Sequence, residues 1–147
     1  MTIDFQNIDV PMPDFDKQAV ALWLDGVARK HDRVCGPLNY IFCNDDKILQ
    51  VNRQFLNHDY FTDIITFDYS RRHIISGDMF ISVDTVATNA ELFGGGNRRE
   101  LLRVVVHGLL HLCGINDKGP GEREIMEAHE NAALAMLPPV LQDFINA

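Results

Sequence analysis

Positive charge is scarce in this 147-residue chain: 13 lysines and arginines face 21 aspartates and glutamates, a formal net charge of −8. That balance weighs against a broad nucleic-acid-coating surface, since phosphate binding needs positive potential, although a single cleft can differ from the surface as a whole. Cysteine is limited to Cys35, Cys43 and Cys113, with no C-x-x-C pair. Together with the lack of a secretory leader pattern, this fits a reducing cytoplasm better than a disulfide scaffold. Long apolar runs are missing, so no membrane association is expected. Repeats, low-complexity stretches and linkers are missing too, which leaves residues 1–147 as one expected domain. The Gly94-Gly95-Gly96 run lacks the Lys-Ser/Thr of a phosphate cradle and follows a predicted helix, not a strand.

What remains is an ordinary globular composition, 46% hydrophobic and 23% charged, in a chain long enough to bury a core. Alternation predicts a strand over 2–8, and after Pro11 and Pro13 an Asp14-capped helix over 14–29. Strands are expected at 38–43, 63–69 and 78–83, with helices at 45–56, 84–93, 98–113 and 122–137. Gly94–Gly96 ends the helix at 84–93, and Pro138-Pro139 ends the last one. The expected fold class is α+β: a single domain with a small mixed β-sheet of about four strands packed with helices, and a metal site on a buried helix. Basic residues cluster at Arg71-Arg72-His73 and Arg98-Arg99, and read as solvated charge rather than an RNA track.

The densest chemical signal is residues 107–117, His-Gly-Leu-Leu-His-Leu-Cys-Gly-Ile-Asn-Asp. His107 and His111, four apart in a helical run, lie on one face about a turn from each other, so both rings can reach one ion. Gly114 is a plausible helix stop, and the returning chain brings Asp117 toward the same place. Two imidazoles and a carboxylate leave a fourth position open on a tetrahedral Zn2+, the arrangement of a catalytic site. The competing reading is a pair of satisfied core histidines. Placing two imidazoles and a glycine in an otherwise apolar run is costly, and that favours the metal. Gly108 inside the helix also implies that something approaches the backbone there. Because Gly108 stands where zinc peptidases carry the glutamate base of H-E-x-x-H, a peptidase is disfavoured. Cys113, beside these residues, reads as a small buried hydrophobe.

Three blocks in fixed order carry a family resemblance. His107-Gly108-Leu109-Leu110-His111-Leu112-Cys113-Gly114 resembles the H-G-x-L-H-L-x-G signature of the bacterial YbeY family of rRNA-maturation endoribonucleases. Thr62-Asp63-Ile64-Ile65-Thr66-Phe67 is similar to that family's T-D-V-L-S-F, and Gly77-Asp78-Met79-Phe80-Ile81-Ser82 to its G-D-I-x-I-S. The resemblance spans residues 35–131 and includes the region of Asn52. It implies a zinc-dependent, single-strand-specific endoribonuclease acting in 16S rRNA 3′-end maturation and late ribosome quality control. Its implied partners are single-stranded RNA, a 16S rRNA precursor, and the ribosome or its small subunit. Two positions depart from the pattern. Asp117 stands where the family carries its third ligand histidine, and Leu56 where it carries an arginine that assists with phosphate.

The resemblance therefore implies His107, His111 and Asp117 as ligands of one zinc ion. His58 is a candidate cation in place of the missing arginine. Asp63 and Asp78, opening their strands, are candidate bases or partners of the ligand imidazoles, with loop capping as the bland alternative for each. Glu100 suits the dipole of a helix's first turn. The alternative function is a non-catalytic, zinc-stabilised module that docks on the ribosome or its assembly factors. A metallohydrolase for a peptide or small ester is the third reading.

Overall fold

The computed structural model describes residues 2–56 and 62–147. Its strands are β1 (Ile3–Asn7), β2 (Val34–Cys43), β3 (Ile64–Asp68) and β4 (Ile74–Ser82). Its helices are α1 (Lys17–Lys30), α2 (Asp45–Val51), α3 (Val83–Phe93), α4 (Asn97–Leu112), α5 (Glu122–Leu134) and α6 (Pro139–Asn146). A π-helical turn, Asn52–Leu56, continues α2. The strands form one sheet in the order β1-β2-β4-β3, in which β1, β2 and β4 run parallel and β3 returns antiparallel to β4. This is the single-domain α+β architecture with a four-stranded mixed sheet that the sequence suggests. No helix among the described residues is long and apolar enough to cross a membrane.

The pleat sorts the strand residues onto two faces. Leu38, Tyr40 and Phe42 of β2 and Ile75, Met79 and Ile81 of β4 join the main core with α1, α4 and α5. On the opposite face, Cys43 and Ile65 pack with Ile48 and Val51 of α2. At the centre lies α4, buried at Leu101, Leu102, Val104, Val105, Val106, Leu109 and Leu110, which explains why its sequence shows little alternation between polar and apolar. Tyr40, fully buried, donates its hydroxyl hydrogen to Val105 O at 2.8 Å and so ties β2 to α4. Trp23 of α1 donates its indole N–H to Ala133 O of α5 at 2.9 Å.

Several predicted boundaries shift, each for a local reason. The cap of α1 is Asp16, whose side chain accepts from Ala19 N at 2.9 Å; Asp14 instead pairs with Arg98 at 3.2 Å. The strand expected at 38–43 begins four residues earlier, because a register shift between Cys35 and Leu38 accommodates Pro37. Asp78 lies within β4 rather than opening it, since the strand continues back through Gly77 to Ile74. The helix expected at 45–56 is α-helical only to Val51 before widening into the π-turn. Pro138-Pro139 does not only end a helix: α5 closes at Leu134, and Pro139 occupies the first turn of α6, where its missing N–H has no intrahelical acceptor to lose.

The expectation that something approaches the backbone at Gly108 holds, and the neighbour is the sheet. A Cβ at Gly108 would stand 2.8 Å from Ile64 Cδ1 and 3.3 Å from Met79 Sδ. The glycine lets α4 settle onto β3 and β4. A glutamate at this position would point into the core, so the peptidase base is excluded by packing as well as by sequence.

Candidate metal centre

One face of α4 escapes the apolar core. Glu100, Arg103 and His107, spaced three and four apart, line a cleft of about 740 Å³ between α4, α5 and the loop that follows α4. The helix stops in a Schellman motif: Gly114, at φ 94°, donates to His111 O at 3.0 Å, and Ile115 N donates to Leu110 O at 3.1 Å. This reversal carries Asp117 back to the cleft, as the glycine in the sequence suggests. His107 Nε2 stands 3.3 Å from Asp117 Oδ2.

The residue that sequence reasoning missed is Glu130. It reaches from α5 with only 3% of its side chain exposed, and its Oε2 lies 2.6 Å from His107 Nδ1. Its other oxygen accepts from Arg103 Nη1 at 2.8 Å. Arg103 in turn donates through Nε to Glu100 Oε1 at 2.9 Å, and a second, shorter contact joins its Nη2 to Glu100 Oε2. Glu100 is therefore buried and paired, beyond any role of a first-turn acid. The signal for Glu130 is in the sequence: it falls on the apolar stripe of α5 with Met126, Ala133 and Leu134, where a carboxylate is out of place unless it has a partner.

The charge states follow from this chain of contacts. Burial alone would raise Glu130, but the bonds and charges of His107 and Arg103 outweigh it and hold the carboxyl below its ordinary range. Burial alone would lower His107; the Glu130 hydrogen bond and the charges of Glu130, Asp63 and Asp117 outweigh it and raise the imidazole. With both nitrogens protonated, the His107 ring bridges Glu130 and Asp117. With the proton on Nδ1 donated to the Glu130 carboxylate, Nε2 presents a lone pair toward Asp117, the tautomer a metal requires.

Among the described residues no three His, Cys, Asp or Glu side chains form a metal-holding group. Two of the three expected ligands are nevertheless at a suitable separation, since ligands on a tetrahedral zinc stand about 3.3–3.4 Å apart. The cleft also has the right charge, with Asp63, Glu100, Asp117, Glu127 and Glu130 against Arg99, Arg103 and Arg123. His107 and Asp117 thus offer two donors at a separation that suits a divalent cation, with the Glu130 carboxylate behind His107 as its orienting partner. His111 follows one turn along α4, half-buried, but does not line the cleft and is not hydrogen-bonded into this network among the described residues.

The remaining candidates separate. Asp63 lines the cleft, accepts from Asn89 Nδ2 at 3.5 Å, and is raised chiefly by burial. Asp78 does not line the cleft; its carboxylate accepts from Asn39 at 2.9 Å and Tyr69 at 3.4 Å, so it serves the sheet. His58 lies outside the described residues. Leu56 is 40% exposed. Cys113 is buried, and burial pushes its thiol up to about 11, as befits a packing residue.

Comparison with known proteins agrees with the sequence blocks. The sequence model of the family described as Endoribonuclease YbeY matches residues 3–138. An Endoribonuclease YbeY from Parabacteroides distasonis is 58% identical over 138 residues, covering 94% of this chain and 97% of that protein. The Endoribonuclease YbeY of Porphyromonas gingivalis is 42% identical, with 92% of this chain and 89% of that protein covered. A Thermotoga maritima protein known from its solution structure superposes with a TM-score of 0.63 at 25% identity, across 92% of this chain and 89% of its own.

Proposed function

This chain belongs to the endoribonuclease YbeY family, and from that premise we propose that it is a cytoplasmic, zinc-dependent, single-strand-specific endoribonuclease acting in 16S rRNA 3′-end maturation and late ribosome quality control. Its substrate on this reading is a 16S rRNA precursor on the ribosome or its small subunit. The observation that carries the metal part is the His107–Asp117 approach at 3.3 Å, backed by Glu130 on the far nitrogen of the same imidazole.

His107, His111 and Asp117 would hold the ion. When bound, zinc supplies Lewis acidity toward a phosphoryl oxygen and acidifies water toward neutrality. Asp117 adds a negative charge that a third histidine would not, which makes the ion a weaker Lewis acid. Glu130 accepts a hydrogen bond from the Nδ1–H of His107 and so keeps Nε2 free; Arg103 fixes Glu130, and Glu100 fixes Arg103. On this reading Asp63, which lines the same cleft and whose proton affinity is raised by burial, would take a proton from the attacking oxygen. Asp78, bonded into the sheet, has no part in this reading.

The test is cleavage of a labelled single-stranded RNA by freshly purified protein, beside chelator-stripped, zinc-restored and His107→Ala samples. Activity lost on stripping, regained with zinc and absent from the variant is the expected result. Cutting that persists in His107→Ala belongs to a contaminating nuclease. No cutting by zinc-loaded protein, with zinc still raising the melting temperature, turns the reading to a zinc-stabilised ribosome-docking module.

A further inference from the structure

The floor of the cleft is acidic, so a polyanion must be held from its rim. Of the two basic clusters in the sequence, Arg71 and Arg72 occupy the β3–β4 hairpin and do not line the cleft. Arg98 is engaged with α6: it donates to Phe144 O at 3.2 Å, lies 4.7 Å over the Phe144 ring and pairs with Asp14. Arg99, one residue on, lines the cleft and is exposed, its stem lying beside Gly95. Phe93, the last residue of α3, lines the same cleft with 67% of its surface exposed. Gly94, at φ 80°, then turns the chain sharply toward α4. An exposed aromatic ring and an exposed guanidinium lining one cleft, beside a candidate phosphodiester site, are the combination by which proteins grip single strands: the ring stacks a base and the cation meets the backbone.

We propose that Phe93 is a nucleobase-stacking platform, forming with Arg99 a nucleotide subsite that holds single-stranded RNA across the cleft. The proposal rests on the ribonuclease reading above and supplies the backbone cation that Leu56 does not. The subsite is tolerant of base identity, because every base offers a π-face. It excludes duplex, whose bases are already stacked on one another.

The test uses the zinc-loaded full chain and fluorescence anisotropy with two uncut probes of equal charge, a 2′-O-methyl adenosine 12-mer and an abasic 12-mer. Phe93→Ala weakens the adenosine probe at least about fivefold and leaves the abasic probe unchanged. Phe93→Trp retains or strengthens adenosine binding; both variants change an exposed side chain, so folding is preserved. Arg99→Ala weakens both probes alike and reduces the salt-dependence slope by about one. If the wild type prefers the adenosine probe and Phe93→Ala keeps that preference, the subsite is overturned and the ribonuclease reading stands. If the wild type binds neither probe and cuts no RNA, both fall together.

Discussion

Helix α4 has one buried face and one that lines the cleft, and they solve different problems. Toward the sheet, Val105 and Gly108 meet Tyr40, Ile64 and Met79, and the constraint is shape: a methyl group at Gly108 would have to displace the end of the Ile64 side chain. Toward α5, Arg103 and His107 meet Glu130 while Glu100 holds Arg103, and the constraint is charge: each ionic group is matched by the next. Shape fixes where α4 lies. Charge fixes how one imidazole on it is oriented. The first face tolerates small losses gradually, whereas the second fails when any link is removed, because a buried charge left without its partner costs far more than a missing methylene.

The largest effect should come from cutting the charged face at its centre. Glu130→Ala should destabilise the protein by about 3–5 kcal/mol, read from denaturant unfolding, since it removes the buried carboxylate shared by Arg103 and His107 and leaves them only Glu100 and Asp117. Glu130→Gln keeps the volume but no longer holds the His107 tautomer by charge, and should weaken zinc binding about 10- to 100-fold by competition titration. On the shape face, Gly108→Ala should cost about 1 kcal/mol, the displacement of Ile64 and Met79 being partly offset by the better helix propensity of alanine. Ile64→Val, which deletes the Cδ1 atom in the way, should recover part of that loss in the double variant; strict additivity would mean that the close approach is not the cause. Tyr40→Phe, which removes one buried hydrogen bond, should cost about 1 kcal/mol.

The smallest effect is a dependence on pH in the metal-free protein. His107 is raised in the fold, so its contribution is fully present below the unfolded value of about 6.5 and is lost as pH rises through the raised value. Glu130 is lowered, so its contribution is present above the ordinary carboxylate range and is lost only as pH falls through the lowered value. The stability gap between wild type and His107→Gln should therefore narrow from pH 6 to pH 9. A gap that stays constant would show that His107 does not titrate with folding.

Much of this was legible in the chain. Helical spacing placed His107 and His111 on α4, and Gly114 announced the turn that returns Asp117, because both signals are local and geometric. Glu130 was harder: its partner sits 23 residues away, and only tertiary packing decides that a glutamate among Met126, Ala133 and Leu134 faces inward. The early starts of β2 and β4 were hidden by Pro37 and Gly77, residues that break a pattern without breaking a strand. Helix α6 was hidden by a proline pair that stops one helix and starts another. The burial of Glu100 could not be inferred from its position in a first turn, since only Arg103 justifies it.

The lone tryptophan gives this architecture an optical handle. Trp23 hangs its indole N–H on the carbonyl of Ala133, one turn along α5 from Glu130, and is 4% exposed. Any event that lifts α5 from the body of the protein must break that bond and admit water to the indole. Emission from a single native fluorophore therefore reports whether the helix bearing Glu130 is seated, and a red shift on chelation or on Glu130 substitution would expose its departure without any label.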